Sequence, residues 1–436
     1  MIKHSILSAC QDHLAAASTL RWTGRVSQVV GNLIESDGPF GYVGESCTIT
    51  GDSGRCYTGE VIGFRGTTML SMTTEPPQGI RFGDPITTWG ARPSIRVGPK
   101  LMGRVINPMG DPLDGGPEYR ATHAVIIDGS APLPFHRVPI REPLGCGIRA
   151  IDSFLTCGRG QRLGIFGGSG VGKSTLIGMM TRGTAADMTV LALVGERGRE
   201  VGEFLEVLGE EGRKRCAVVV STSDQSPLLR LRAALAATAV AEYFASQGKS
   251  VLLIVDSLTR FAMAQREIGL SAGEPPTAKG YTPSVLNLLA RLVERAGNFT
   301  RGSITAFYTV LMEGDDQQDP VVDTVRSLLD GHIVLDRNLA MRGHYPPISI
   351  LDSLSRLMSS VATEQHLTKA RALRLALATY SRSEDLIRIG AYQKGADPVL
   401  DSAVQNMPAL NAFLQQPVDH VSSYSDVVQR LEVLPG

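Results

Sequence analysis

A short glycine-rich stretch constrains the fold of this chain more than any other feature of its sequence. Residues 167–174 fit the pattern G-x-x-x-x-G-K-[ST], whose glycines let consecutive backbone N–H groups turn towards phosphate oxygens. Lys173 would add a positive charge at the β- and γ-phosphates, and the Ser174 hydroxyl is a candidate Mg²⁺ ligand. The predicted phosphate-binding residues are Gly167, Gly168, Ser169, Gly170, Val171, Gly172, Lys173, Ser174 and Thr175.

The sequence on either side of this loop supports the match. Residues 162–166 are typical of a short buried strand, and residues 174–184 are typical of a helix. A phosphate-binding loop requires this order of strand, loop and helix, and the N-terminus of the helix adds its dipole to the anion site. The sequence therefore predicts a nucleotide-binding protein.

Length and charge limit the remaining possibilities. A chain of 436 residues is too long for a single core and is expected to form about two to four domains. Lys plus Arg and Asp plus Glu both number 43, so the formal net charge is zero. A generic surface for binding polyanions is therefore not indicated, although a local basic patch would be compatible with this balance.

Cysteine spacing and the lack of apolar runs bear on the cellular compartment. The six cysteines have no C-x-x-C spacing, which favours reduced thiols. No apolar run approaches the length of a membrane span, and Gln11, Asp12 and His13 interrupt any signal-peptide core. These features predict a soluble, cytoplasmic protein.

Shifts in composition divide the chain into four parts. Residues 1–19 carry one apolar helical stripe, which either packs on its own protein or docks on a partner. Residues 20–95 hold short β-rich runs between Gly, Asp and Pro turns, which predicts a small β-barrel. Residues 96–358 are predicted to form the third part: residues 96–150 hold several Gly-Pro and Pro-Leu turns, and from about 150 to 358 apolar strand-like runs alternate with helical stretches, as in a parallel α/β sheet. Residues 359–436 contain only amphipathic helical segments.

The predicted elements of the α/β part can be placed individually. The predicted strands are 163–166, 189–194, 217–221, 251–255 and 304–311. The predicted helices between them include 200–209, 227–247 and 283–295, and those of the tail include 364–380 and 402–416.

Two carboxylates follow predicted strands of this sheet. Asp256 ends an apolar run, where a P-loop enzyme holds the Mg²⁺ shell, although a carboxylate at a strand end is common by itself. Glu196 follows the strand 189–194, at the sheet edge where ligands bind, and could orient an attacking water. Arg197 and Arg199 beside it would be costly there without anionic partners, and the alternative is a solvated loop.

Further motifs accompany the P-loop in a fixed order. They are Gly195-Glu-Arg-Gly-Arg-Glu200, Asp256-Ser-Leu-Thr-Arg-Phe-Ala-Met-Ala-Gln-Arg-Glu267, Gly273-Glu-Pro-Pro276, Gly280-Tyr-Thr-Pro-Ser-Val285 and Glu313-Gly-Asp-Asp-Gln-Gln-Asp-Pro320. Together they resemble the export ATPase of flagellar and injectisome type III secretion systems. That family is similar to the catalytic β subunit of rotary ATP synthases. The resemblance covers nearly the whole chain and implies a P-loop, RecA-like parallel-sheet core of α/β class, with an N-terminal β-barrel and a C-terminal helical domain.

The resemblance implies catalytic roles for residues that match the family pattern. Glu196 would polarise the lytic water, and the neighbouring Arg197 is also expected to take part in catalysis. Lys173 would bind the phosphates of ATP, while Ser174 and Asp256 would hold Mg²⁺. The implied reaction is the hydrolysis of Mg²⁺-ATP.

Two further roles lie in the stretch Tyr345-Pro-Pro-Ile-Ser-Ile-Leu-Asp-Ser-Leu-Ser-Arg356. Tyr345 resembles the aromatic residue that stacks on adenine, and Arg356 resembles the arginine finger given to the nucleotide of a neighbouring subunit. If Arg356 acts on a neighbour, a monomer lacks a complete site, and a homo-hexameric ring is expected.

The resemblance also implies partners and a location. These are a stator-like regulator at the N-terminal helix, a coiled-coil central stalk protein, an export gate membrane protein and substrate–chaperone complexes, at the cytoplasmic face of the inner membrane. The acidic residues Asp315, Asp316 and Asp319 match a loop that would face the stalk, or they form a solvated turn. Residues 389–398 resemble the C-terminal domain that would face the gate.

The stretches 313–320 and 263–267 favour a resemblance to the flagellar enzyme, with the injectisome ATPase as the alternative. A regulatory ring subunit that binds nucleotide without hydrolysing it would not need a carboxylate at Glu196. A nucleic-acid motor of the same core would need a basic, aromatic platform in its barrel, whereas residues 20–95 are sparse in Lys. No nucleic-acid partner is therefore expected.

Overall fold

Three parts of the chain follow one another in the computed structural model, which describes residues 21–119, 121, 123–312 and 319–435. A closed β-barrel precedes a mostly parallel sheet with helices on both faces, and a group of helices follows. The predicted fold class is confirmed. The predicted N-terminal helix over 1–19, Asp315 and Asp316 lie outside the described residues.

The N-terminal barrel is closed by six antiparallel strands in the order β1-β2-β5-β4-β3-β6. These are β1 (Trp22–Val30), β2 (Leu33–Asp37), β3 (Ser46–Thr50), β4 (Cys56–Arg65), β5 (Thr68–Thr73) and β6 (Pro85–Thr88). Alternate side chains fill the interior, among them Val26, Ile34, Ile49, Val61 and Ile86. Closure gives each of these six strands a partner on both sides.

The central sheet has nine strands and supplies the edge on which the P-loop lies. Its main order is β17-β16-β10-β15-β13-β11-β12-β8, in which only β17 runs antiparallel, and β14 pairs antiparallel with β15. The strands are β8 (Val105–Ile106), β10 (Arg162–Gly167), β11 (Met188–Glu196), β12 (Cys216–Thr222), β13 (Ser250–Asp256), β14 (Gly297–Asn298), β15 (Ser303–Leu311), β16 (Gly331–Leu335) and β17 (Ile348–Ser355). A separate two-stranded antiparallel sheet pairs β7 (Ser94–Val97) with β9 (His123–Ile126).

Helices cover both faces of this sheet. Those of the core are α1 (Arg149–Phe154), α2 (Lys173–Gly183), α3 (Gly198–Lys214), α4 (Pro227–Ser246), α5 (Leu258–Ala272), α6 (Pro283–Val293), α7 (Pro320–Leu328), α8 (Arg337–Met341) and α9 (Met358–Val361). Short 3-10 turns lie at Pro99–Leu101, Pro134–His136 and Ala278–Gly280.

Burial on both faces explains why the central strands are continuously apolar. Every residue of β13 is buried, and its side chains alternate between two cores. Val251, Leu253 and Val255 pack with α4, α5 and α6, whereas Leu252 and Ile254 pack with α2 and α3. This packing fixes the carboxyl ends of β10, β11 and β13, which is where the candidate site forms.

The C-terminal part of the described chain is helical, as predicted. It consists of α10 (Glu364–Arg388), α11 (Pro398–Leu414) and α12 (Tyr424–Val433). The first helix runs eight residues beyond the predicted 364–380, and the second begins at Pro398, where the Asp397 side chain accepts from the backbone N–H groups of Val399 and Leu400. Among the described helices, none is long and apolar enough to cross a membrane.

Candidate active site

The P-loop lines a cavity of about 380 Å³ at the carboxyl edge of the sheet. Strand β10 ends at Gly167 and helix α2 begins at Lys173, so the intervening residues form the predicted loop. Gly170 and Gly172 have φ values of 77° and 99°, a region in which side chains are strained. The loop residues that line the cavity are Gly168, Ser169, Gly170, Gly172, Lys173, Ser174 and Thr175.

Lys173, which lines this cavity, forms an ion pair with Asp256 at the end of β13. The Lys173 Nζ atom lies 2.9 Å from Oδ1 of Asp256, whose side chain is only 3% exposed. The Thr309 hydroxyl of the adjacent strand β15 donates to the same oxygen at 2.6 Å. A buried carboxylate is stable only when it is paired and hydrogen-bonded, and both conditions are met here.

Glu196 stands at the end of β11 and also lines the cavity. Arg260 of α5 forms an ion pair with Glu196, whose side chain is 11% exposed. Burial raises the pKa of the Glu196 carboxyl, a hydrogen bond shared with Glu200 raises it further, and Arg260 opposes the rise. Glu196 is therefore a carboxylate of increased basicity beside the phosphate loop, as a group that accepts a proton from water requires.

Arg197 lies differently from its neighbour. Its side chain is 78% exposed and pairs with Glu200 at 3.6 Å, and Arg199 pairs with Glu203 at 3.2 Å. The anionic partners that the sequence required for these arginines are thus supplied by their own helix. Neither arginine is among the residues that line the cavity, so the catalytic role of Arg197 stays a prediction.

Tyr345 lies beside the phosphate loop, as its predicted role requires. A Cβ atom placed on Gly172 would be 3.9 Å from Cε1 of the Tyr345 ring, and the residue is 48% exposed. The backbone N–H of Gln416 donates to the carbonyl of Tyr345 at 2.9 Å and fixes this segment to the C-terminal helices. The half-exposed ring is therefore accessible to a ligand.

Arg356 lies at the opposite edge of the sheet from the P-loop. It follows β17, whose end at Ser355 pairs with Gly331 at the start of β16, and its N–H donates to the carbonyl of Asp330. Asp330 in turn bonds to Arg162, where β10 begins. The six residues of β10 separate this edge from the phosphate loop by roughly 16 Å. That span exceeds the length of an arginine side chain, so Arg356 cannot reach the phosphate site of its own chain.

Several residues of the site were not predicted from the sequence. Arg260, Glu200 and Thr309 were missed because their roles depend on contacts between separate strands and helices. Arg260 had one usable signal in the sequence. It stands four residues after Asp256 and lies in the first turn of α5, close to the end of β13. Arg337 was also missed, although its Nη2 would lie 3.0 Å from a Cβ placed on Gly168.

Two protein-family models match most of this architecture. The nucleotide-binding domain of the ATP synthase alpha/beta family matches residues 147–355, and the T3SS EscN ATPase C-terminal domain matches residues 362–433.

Individual relatives match over nearly their whole length. The flagellum-specific ATP synthase of Bacillus subtilis is 51% identical over 95% of this chain and 95% of its own. This chain belongs to the flagellar and type III secretion ATPase family. Another flagellar member, from Treponema pallidum, is 49% identical over 97% of this chain and 95% of its own. The type 3 secretion system ATPase of Sinorhizobium fredii is 47% identical over 93% of this chain and 90% of its own. As a family member, the chain is an ATPase with a nucleotide substrate.

Solved structures of this ATPase family support the fold. The assembled ATPase EscN from the type III secretion system of enteropathogenic E. coli has a TM-score of 0.90 and 43% identity, and covers 95% of this chain and 100% of its own. EscN in complex with its central stalk EscO has a TM-score of 0.88 at the same identity and coverage.

Proposed function

We propose that this ATPase works as a homo-hexameric ring whose sites are completed by neighbouring subunits and whose hydrolysis of ATP energises flagellar protein export. One observation carries the proposal: Lys173 and Glu196 line one cavity and Asp256 contacts Lys173, whereas Arg356 lies at the opposite end of the strands of the same sheet. A chain of this geometry needs a second copy to bring all four groups to one nucleotide.

The phosphates of ATP would lie on the loop amides, where the N-terminus of α2 favours negative charge. Lys173, whose Nζ lies 2.9 Å from Oδ1 of Asp256, would turn to the β- and γ-phosphates. The adenine would stack on the half-exposed ring of Tyr345. Binding thus exchanges an internal ion pair for contacts with the substrate.

In the reaction, a water oxygen would attack the γ-phosphorus while the bond from that phosphorus to the β–γ bridging oxygen breaks. Glu196 would orient the water and accept its proton, and ADP would leave with the bridging oxygen. Arg260 forms an ion pair with the Glu196 carboxylate and opposes the rise in its pKa that burial causes, which favours the ionised form. Arg260 would therefore help to fix the position of the Glu196 carboxylate at the γ-phosphate.

The oxygen donors at the end of the P-loop fit a magnesium ion. Ser174 lines the cavity, and the Asp256 carboxylate is held by Lys173, the residue before Ser174, and by the Thr309 hydroxyl, both at Oδ1. Hard oxygen ligands in small number suit Mg²⁺, which keeps several waters and binds phosphate oxygens. When bound, the ion would neutralise charge on the β- and γ-phosphates.

Arg356 would meet the transferring phosphoryl group of the next subunit. A guanidinium binds phosphoryl oxygens through paired hydrogen bonds and stabilises the charge that develops in the transition state. A closed ring forms when each chain donates Arg356 from the amino end of its sheet to one neighbour and receives the other neighbour's arginine at the carboxyl end, where the P-loop lies. The assembled form of EscN supports such a ring, and its complex with EscO supports a central stalk partner.

The flagellar system is the proposed setting. Flagellum-specific relatives reach 51% identity and the type 3 secretion relatives 47%, so the injectisome is the second candidate. A stator-like regulator, an export gate membrane protein, substrate–chaperone complexes and a location at the cytoplasmic face of the inner membrane complete the proposal.

Mixing two inactive variants tests the composite site. We expect Glu196→Gln to lack the base and Arg356→Ala to lose about a thousandfold in kcat. In an equimolar mixture assembled together, up to about a quarter of the interfaces pair an intact Glu196 with an intact Arg356, so activity returns. A mixture no more active than its two components would contradict donation between subunits.

A further inference from the structure

The backbone that carries Arg356 is fixed by hydrogen bonds to the start of β10. The Arg356 N–H donates to the Asp330 carbonyl at 2.9 Å, and the Asp330 N–H donates to the Arg162 carbonyl at 2.9 Å. The Arg162 guanidinium holds the Asp330 carboxylate through Nε and Nη2, each at 3.2 Å. The exposed side chain of Arg356 therefore extends from a rigid base.

Gln161 joins the separate strands of this base. Its Nε2 donates to the Ser355 hydroxyl at 3.0 Å and to the Asp330 carbonyl at 3.3 Å. Its Oε1 accepts from the N–H of Gly158 at 2.7 Å, and the residue is fully buried. All polar atoms of the amide are thus in use, which leaves the side chain a single orientation.

Ser355 extends the same network. Its hydroxyl accepts from Gln161 and donates to the Thr156 carbonyl at 2.9 Å. The residue immediately before Arg356 is therefore attached to the segment that leads into β10. Gln161 and Ser355 are 194 positions apart in the chain, so their contact depends on the complete sheet.

We propose that Gln161 is a positioning residue for Arg356: through Ser355 and Asp330, it holds the arginine at the angle needed to reach the neighbouring subunit's nucleotide. The inference rests on the proposed role of Arg356. Gln161 immediately precedes β10, and the P-loop follows the other end of this strand. Strand β10 therefore joins the phosphate site of a subunit to the arginine that the same subunit donates. Gln161 acts through Arg356 and does not itself touch the nucleotide.

Gln161→Met tests this role, because methionine has nearly the same volume but can neither donate nor accept these bonds. We expect kcat to fall about ten- to a hundredfold, since small misplacements of a catalytic group cost that much. The KM for ATP should change by less than about twofold, because the phosphate loop is untouched. Ser355→Ala removes the same link by a smaller change and should give the same pattern.

Mixing experiments separate this role from general damage to the fold. Gln161→Met mixed with Glu196→Gln should regain activity, because the Glu196→Gln subunits supply a well-placed Arg356 to the intact base of their neighbours. Gln161→Met mixed with Arg356→Ala should stay inactive, because neither subunit supplies a working arginine. Gln247→Met is the matched control: it changes an exposed glutamine at the end of α4 and should leave kcat unchanged.

The outcomes distinguish the positioning role of Gln161 from the proposed role of Arg356 itself. Rescue of Gln161→Met by Arg356→Ala, or unchanged kcat in both Gln161→Met and Ser355→Ala, would overturn the inference while the composite site stands. No rescue in the reference mixture of Glu196→Gln with Arg356→Ala would overturn the proposed role of Arg356 and this inference with it. If circular dichroism shows that Gln161→Met is unfolded, the same mixtures made with Ser355→Ala decide the question, with Ser360→Ala as the control.

Discussion

At the scale of single residues, the ion pair between Glu196 and Arg260 decides when the proposed base is ionised. Burial raises the pKa of Glu196, and Arg260 lowers it. A carboxyl with a raised pKa is protonated, and inactive as a base, up to a higher pH. The position of Arg260 therefore extends the acid side of the pH range over which the site can work.

Removing that guanidinium gives a prediction with a definite sign. In Arg260→Ala the pKa of Glu196 should rise further, so the acid limb of kcat should move to higher pH by about one unit or more. Arg260→Lys keeps a positive charge and should show a smaller shift. The measurement is kcat at saturating ATP across the pH range. An acid limb that is unchanged in Arg260→Ala would contradict the assignment of Glu196 as the titrating base.

Local spacing decided which residues of the site could be predicted from the sequence. The P-loop residues, Asp256 and Glu196 were predicted because each follows an apolar strand within a short recognisable motif. Most of the loop residues and Glu196 line one cavity, and Asp256 is ion-paired with Lys173. The contact of Gln161 with Ser355 could not be predicted, because Gln161 stands in no motif and the pairing needs β10, β16 and β17 in register.

At the scale of elements, a buried ion pair joins the barrel to the core. Arg232 of α4 is 3% exposed in its side chain and contacts Glu60 of β4 at 2.7 Å. Burial raises the pKa of Glu60, and Arg232 opposes this. The pair fixes one wall of the barrel against a helix that is buried on all sides.

Breaking this pair should destabilise the barrel. Arg232→Met leaves Glu60 buried without its partner and should cost about 3 kcal/mol in free energy of unfolding. Arg65→Met breaks the more exposed pair with Glu35 and should cost at most about 1 kcal/mol. Urea denaturation followed by tryptophan fluorescence measures both, since Trp22 and Trp89 are the two tryptophans and both lie at the barrel. Equal losses in the two variants would contradict a structural role for the buried pair.

The elements that sequence patterns predicted were the strongly apolar ones. Strands such as β13 are continuously buried and gave a clear signal. Strands β16 and β17 at one side of the sheet were missed, because buried residues are mixed with partly buried ones along β16 and with exposed ones along β17. These two strands place Tyr345 and Arg356 at opposite edges of the sheet, so the composite site became visible only in three dimensions.

At the scale of the whole molecule, a single chain lacks part of its own proposed site. One sheet presents the phosphate loop and Glu196 at its carboxyl edge and Arg356 at its amino edge. Because the separation of roughly 16 Å cannot be closed within one chain, catalysis should require contact between copies. Assembly and turnover should therefore rise together as the protein concentration increases.

The most direct test is the ATPase activity per chain of the wild-type protein, measured against concentration beside its mass by light scattering. We expect low activity per chain in dilute, monomeric samples and a rise that follows assembly into the ring. Arg356→Ala should assemble without a comparable rise. A monomer that hydrolyses ATP at the same rate per chain at every concentration would contradict the composite site.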